Sequence, residues 1–273
     1  PEQQSFVLNR YSNDASWGVG RAGMNYRDLI PNRQGGRFIA SHIRIPEGGP
    51  VPDYVHFHKI RFQMIYCYKG WVRVVYDEQG PPFVMHPGDC VLQPPQIRHR
   101  VLESSAGLEV LEISCPAEHE TWADPDHDLP TTEVRPNRDF GGQNFVLDQA
   151  VQAEWSPWRM EGFEFRDTGI GTATKGLAGV RIGRPLNGSK PLVCTHSGEF
   201  YFFFILDGGL TLICEGLGSQ RMEAGDSCVI PAQQRHSLTD SSDNLELLEA
   251  TFPAELETQL HSMSVESLMN IEH

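Results

Sequence analysis

Apolar residues along this chain fall into short runs of strand length, each cut off by glycine, proline or aspartate. In the first half the runs cover residues 38–45, 62–68, 72–76, 88–92 and 109–113; in the second they cover 177–182, 199–206, 210–214, 227–230 and 245–251. Runs this short between turn formers predict antiparallel sheet, and many of them at even spacing predict a sandwich or jelly-roll barrel. The 26 glycines and 19 prolines are spread in turn-like positions, as such a fold requires. The densest run, 200–204, predicts a strand buried on both faces at a domain or subunit interface. Only the tail, 254–273, departs from the pattern: Leu256, Leu260, Met263, Leu268 and Ile271 alternate with polar residues as in a short amphipathic helix. The expected class is all-β with a short C-terminal helix.

The pattern occurs twice. Leu111-Glu112-Ile113-Ser114-Cys115-Pro116 returns as Leu248-Glu249-Ala250-Thr251-Phe252-Pro253, an offset of 137 that Gly88-Asp89 and Gly225-Asp226, Pro94 and Pro231, and His99 and His236 share. Upstream, Gly70 matches Gly208 at 138, and Tyr26-Arg27-Asp28 matches Phe165-Arg166-Asp167 at 139. Matches kept in order over half the chain are the mark of a duplication, and the drifting offset marks single-residue changes in loops. The organisation predicted is one domain over residues 1–116 with an N-terminal arm, a connection over 117–139 rich in acidic residues, proline and threonine, a second domain over 140–253, and the helical tail.

Candidate chemistry sits in the first copy. His56 and His58 are two apart on a strand, so both side chains share a face. If that face is inward, His99 on another strand can complete a set of three imidazoles. Gln63 can bring an amide oxygen to a fourth position. Such a set suits a divalent transition metal with positions left open for substrate. The aligned positions of the second copy are Cys194, His196, Tyr201 and His236, a degraded set for which no metal is expected. Glu112 and Glu249 occupy the last strand of each copy. Glu112 can act as a base beside the metal, although its recurrence as Glu249 favours a shared structural role. Arg61, Tyr66, Arg73, Gln93 and Arg98 lie near the ligand segments, and Cys67 shares the parity of Gln63. His119, His127, His261 and His273 fall in connecting or tail segments and are expected at the surface.

These residues resemble the two signature motifs of the cupin superfamily, His-x-His-x4-Glu-x6-Gly and Gly-x5-Pro-x4-His. His56, His58 and Gly70 fall on the first, and Gly88, Pro94 and His99 on the second. Because the likeness extends over both halves, the chain resembles a bicupin, two tandem double-stranded β-helix barrels. The resemblance implies a metal held by His56, His58 and His99, with Gln63 as fourth ligand or as the group that orients a bound water. Iron is the first choice among iron, manganese, nickel, zinc and copper. The departure is Gln63, where the family usually has Glu. An amide neither lowers the charge of the site nor serves as a base, so any base must come from elsewhere. The superfamily supports many reactions. The leading expectation is a non-haem dioxygenase acting on a small aromatic or dicarbonyl compound, with a redox-neutral lyase or isomerase and a non-catalytic ligand-binding or sensor protein as alternatives.

Charge narrows the partners. A formal net charge of −14 disfavours phosphate backbones and anionic lipid, so neither nucleic acid nor membrane is expected. No apolar run reaches spanning length and no leader is visible at the start, and the six cysteines show no CxxC pattern. The expectation is therefore a cytoplasmic protein with reduced thiols, working on a small molecule. Strand edges and the aromatic strand make a homodimer the expected assembly.

Overall fold

A computed structural model describes residues 4–12, 15–186 and 191–269. The strands form where the apolar runs predict them: Ile39–Ile45, Phe62–Lys69, Val72–Tyr76, Cys90–Leu92 and Leu108–Cys115 in the first half, and Gly179–Pro185, Phe200–Asp207, Gly209–Cys214, Ser227–Val229 and Glu246–Phe252 in the second. No described helix is long and apolar enough to cross a membrane.

The chain divides into two compact units. One comprises Asp14–Ala153 with Ala173–Lys175. Its first sheet runs, in spatial order, Val146–Asp148, Cys90–Leu92, Phe62–Lys69, Leu108–Cys115, Ile39–Ile45, Asn25–Asp28 and Gly18–Val19. Its second runs Glu120–Ala123, His56–Lys59, His99–Ser104, Val72–Tyr76 and Phe83–Met85. Alternate residues of both sheets, among them Ile43, Ile45, Cys67, Val74, Met85 and Val110, form a single apolar core between them.

The other unit comprises Pro1–Asn13, Glu154–Thr172 and Gly176–His273. Its larger sheet follows the same order: Val7–Asn9, Ser227–Val229, Phe200–Asp207, Glu246–Phe252, Gly179–Pro185, Phe163–Asp167 and Ser156–Pro157. In its core Tyr201, Phe203 and Ile205 pack with Leu210, Leu212 and Cys228. The opposite row of that strand, Phe200, Phe202 and Phe204, is buried as well, so the run is enclosed on both faces. Gly70 and Gly208 occupy the same tight turn in the two copies, at φ +72° and +65°. A side chain there would collide with Ser105 in one copy and Ser242 in the other, which explains the motif glycine.

Three details differ from the expected organisation. Phe6-Val7-Leu8-Asn9 and Phe145-Val146-Leu147-Asp148 are matching segments, and each closes the barrel of the other copy: Val7–Asn9 pairs with Ser227–Val229, and Val146–Asp148 with Cys90–Leu92. The N-terminal arm therefore belongs with the second barrel, and residues 140–153 belong with the first. An edge strand needs only a complementary partner edge, and the two copies offer near-identical ones. Second, the segment expected to be a plain connection contributes the strand Glu120–Ala123, paired with His56–Lys59. Its four residues are all exposed, so no apolar alternation marked it. Third, the tail helix shrinks to Val265–Met269, where Leu268 packs on Val193 and Ile213, because Thr258–His261 instead pairs as a strand with Val193–His196. Ile271 lies outside the described residues.

Phe203 is fully buried at the centre of the second core. Phe203→Ala is expected to lower stability by about 3–5 kcal/mol, from lost transfer energy and the cavity left behind; urea denaturation of the two proteins measures it.

Candidate metal centre

His56 and His58 lie on the strand His56–Lys59 with both side chains buried, while Phe57 between them points the other way and carries the Arg98 guanidinium 4.5 Å above its ring. His99 opens the neighbouring strand and pairs directly across from His56. Register thus brings together residues 43 apart in sequence. The ring centroids of His56 and His99 are 4.3 Å apart, those of His58 and His99 5.3 Å, and one ring nitrogen of each of the three lies within 4.8 Å of the others.

The three rings are held alike. Nδ1 of His56 meets the Tyr54 carbonyl at 2.8 Å, Nδ1 of His58 meets Thr121 Oγ1 at 2.8 Å, and Nδ1 of His99 meets the Ile97 carbonyl at 3.0 Å. A carbonyl only accepts, so Nδ1 of His56 and of His99 carries the proton and Nε2 keeps its lone pair; Thr121 Oγ1 can fix His58 in the same tautomer. Burial holds all three imidazoles neutral, as ligands must be: His56 falls below its ordinary pKa, His58 falls to about 3 through burial and then its histidine neighbours, and His99 falls well below the usual range. The donor set fits a divalent metal. His56, His58 and His99 would hold it through Nε2.

Gln63 sits on the cavity wall inside a hydrogen-bonded chain. The Tyr76 hydroxyl donates to Gln93 Oε1 at 2.7 Å, Gln93 Nε2 donates to Gln63 Oε1 at 3.0 Å, and Gln63 is bonded in turn to the Glu112 carboxyl. Glu112 comes from the adjacent strand, diagonal to Gln63, since Ser114 is the residue directly opposite Gln63 and Ile65 the one opposite Glu112. The carboxyl absent at position 63 is therefore present one strand over. A glutamate at 63 would face a second carboxylate, and the amide avoids that repulsion. Burial raises the pKa of Glu112.

The cavity these residues enter has a volume of about 240 Å³. Its lining combines the histidines, Gln63, Gln93, Glu112, His119 and Thr121 with Arg21, Arg100, Tyr26 and Tyr76 and with many aliphatic side chains, including Met24, Ile43, Ile65, Val72, Val74 and Leu108. Of the residues flagged near the ligand segments, Gln93 lines the cavity, whereas Arg98 turns out to Asp124 at 2.9 Å and Arg73 to Glu103 at 3.2 Å. Cys67 belongs to the apolar core, where burial pushes its thiol up to about 12. His119, expected at the surface, is half-buried with its ring 5.5 Å from that of His58. Arg21 also reaches the site, with Nη2 2.7 Å from His56 Nε2 and Nη1 3.5 Å from Asp53. Thr121, His119 and Arg21 escaped sequence reasoning because they arrive on an exposed edge strand and a distant hairpin.

The corresponding positions of the second barrel are spent internally. Both ring nitrogens of His196 bond to backbone, Nε2 to the Ile230 carbonyl at 3.0 Å and Nδ1 to the Gly198 N–H at 3.2 Å. Cys194 Sγ lies 3.4 Å from His236 Nε2, and burial raises the thiol to about 11. Glu249, the counterpart of Glu112, is clamped by Nη1 and Nη2 of Arg159. The two glutamates therefore differ in surroundings despite sharing a position.

Two outcomes follow from this geometry. Thr121→Val removes the partner of His58 Nδ1 and is expected to weaken divalent-metal affinity about 10–100-fold by equilibrium titration, while Thr121→Ser retains it. For Glu112, the folded pKa lies above the unfolded value, so its neutral form favours folding at low pH and the penalty grows as pH rises past the unfolded pKa. Glu112→Gln is expected to raise the denaturation midpoint of the metal-free protein at pH 8 and to leave it unchanged at pH 4.

Comparison with known proteins adds the family. The profile of the family described as "Cupin domain" matches residues 41–114 and 186–250. No curated protein matches the chain in sequence. Similar solved structures include the oxalate decarboxylase of Lactobacillus farciminis in its formate complex, at 14% identity and TM-score 0.67 over 99% of this chain and 98% of that one. The oxalate decarboxylase of Bacillus subtilis at pH 4.6 aligns at 14% identity and TM-score 0.66 over 93% of this chain and 78% of that one. An arginine-to-alanine variant of the Bacillus subtilis enzyme aligns at 13% identity and TM-score 0.66 over 96% and 82%. At such identities the likeness is one of fold. With the profile matched once in each half and the same strand order in both barrels, the chain belongs to the cupin family as a bicupin.

Proposed function

We propose that the first barrel is the active site of a metal-dependent enzyme acting on a small molecule with an apolar body and an oxygen-bearing head, and that its reaction is a dioxygenation of an aromatic or dicarbonyl compound. The observation that carries this reading is the mixed lining of the cavity, in which three neutral imidazoles and an amide share the space with a wall of aliphatic side chains. A substrate as small and polar as oxalate would leave that wall unused, whereas a ring or acyl chain would fill it.

A metal held by His56, His58 and His99 would supply Lewis acidity and, as iron, a redox-active centre through which electrons of the substrate would pass to dioxygen. The chain's own residues do the rest. Gln63, fixed by Gln93 and Tyr76, orients the polar head or ligates the metal. Glu112, on the cavity wall, holds or takes a proton at its carboxyl. The aliphatic wall excludes water from the substrate's body.

A second reading is a redox-neutral lyase or isomerase. Glu112 favours it, because a buried carboxyl of raised pKa suits proton transfer, and the fold neighbours named as oxalate decarboxylases do not require a net oxidation of their named substrate.

Metal analysis of the wild type, His58→Ala and His196→Ala separates the sites. Close to one metal per chain is expected in the wild type and in His196→Ala, and loss in His58→Ala. Oxygen uptake by the iron-loaded protein with aromatic and diketone substrates is the expected activity. Turnover without oxygen consumption replaces dioxygenation with the redox-neutral reading, and a wild type that takes up no metal after reconstitution contradicts both.

A further inference from the structure

Each barrel carries an arginine at the same point of its first hairpin. Val19 pairs with Asn25 and Pro157 with Glu164, and the arginine follows two residues after the first member in both, as Arg21 and Arg159. Both side chains turn into the ligand positions of their own barrel. Arg21 donates from Nη2 to His56 Nε2 at 2.7 Å, using the lone pair that a metal would require. Arg159 passes over the Trp158 and Tyr201 rings, 5.0 and 5.6 Å from their centroids, and closes a two-pronged ion pair on Glu249. Tyr201 is the counterpart of Gln63: Gln63 pairs with Ser114, and Tyr201 with Thr251.

We propose that the hairpin arginine is a tethered cation for the barrel's ligand set, which competes with the metal for His56 in the first barrel and has replaced the metal in the second. The inference rests on reading the first barrel as a metal site.

The difference between the copies has a local cause. Asp53, three residues before His56, is buried, is held by the Val101 N–H at 3.0 Å, and anchors Arg21 at the rim through a 3.5 Å ion pair. The Tyr54 ring lies under the same guanidinium, 5.7 Å from its carbon. With the side chain still 37% exposed, Arg21 can leave His56 and remain paired with Asp53. In the second barrel His236 pairs with Cys194 as His99 pairs with His56, so the residue three before Cys194, Pro191, stands where Asp53 would be. With proline in place of that aspartate, Arg159 goes inward to Glu249, whose side chain is 1% exposed. Burial opposes the charge on Arg159, but the Glu249 carboxylate offsets it and raises the arginine further above its ordinary range. With His196 committed to backbone on both nitrogens, Cys194 and His236 are left facing one another at 3.4 Å, and Glu249 is held by a cation that the chain itself provides.

The test titrates Zn2+ into the metal-free full chain against a chromophoric chelator. Arg21→Met is expected to bind zinc about ten-fold more tightly than the wild type, because the metal no longer displaces a charge-assisted hydrogen bond. Equal or weaker binding overturns the competition while leaving the metal site standing. If the wild type takes up no zinc, or keeps it in His58→Ala, the metal reading itself fails and the proposal falls with it. For the second barrel, thermal denaturation is followed in a His56→Ala/His58→Ala background. Arg159→Met is expected to lower the midpoint and to gain a zinc-dependent rise that the background lacks; adding Glu249→Gln is expected to abolish that rise and recover stability without metal. An Arg159→Met protein that zinc does not stabilise, including one that stays unfolded with zinc present, overturns the replacement.

Discussion

The site depends on one register: His99 stands directly opposite His56 on the neighbouring strand. Strand alternation then places His58 on the same inward face; the Tyr54 and Ile97 carbonyls accept the Nδ1 protons of His56 and His99, and Thr121 Oγ1 meets Nδ1 of His58. A shift of a single residue in that pairing would turn the histidines to the opposite face of the sheet. The barrel cores on either side make such a slip costly, since every slip exposes an aliphatic row. The fold thus brings one ring nitrogen of each histidine within 4.8 Å of the others.

The two copies show how little has to change for the same barrel to lose that arrangement. Strand order is the same, and the turn glycines and the closing glutamate are kept. Cys194 replaces the first histidine, Tyr201 replaces the amide, and Pro191 replaces the rim aspartate. Phe203 and its neighbours fill the second interior, and its counterpart of the Glu112 carboxyl is neutralised by Arg159. In the first copy that carboxyl faces an open cavity, and the amide at 63 links it to Gln93 and Tyr76. The carboxyl has moved one strand over rather than disappeared.

Much of this was legible in the chain itself. Apolar runs located the central strands, the repeat located the second barrel, and the spacing of His56, His58 and His99 located the donor set. What escaped has physical causes. Glu120–Ala123 is an edge strand with all four residues exposed, so it lacks the alternation that betrays burial, and Thr121 and His119 came hidden with it. The Phe-Val-Leu segments at 6–8 and 145–147 look alike, and local sequence does not say which barrel each will close. Leu256 and Leu260 carry helical spacing, yet Thr258–His261 became a strand because an open edge at Val193–His196 was available to pair. Arg21 lies on a hairpin 35 residues before the histidine it bonds, a contact made by topology alone.

X-ray absorption at the edge of the bound metal addresses the central claim most directly, because it counts and identifies donor atoms without reference to turnover. With the zinc-loaded full chain, imidazole scattering from three histidine rings at about 2.0–2.1 Å and no sulfur shell is the predicted spectrum. A sulfur shell at about 2.3 Å would place the metal on a cysteine, and would contradict the assignment of the site to His56, His58 and His99.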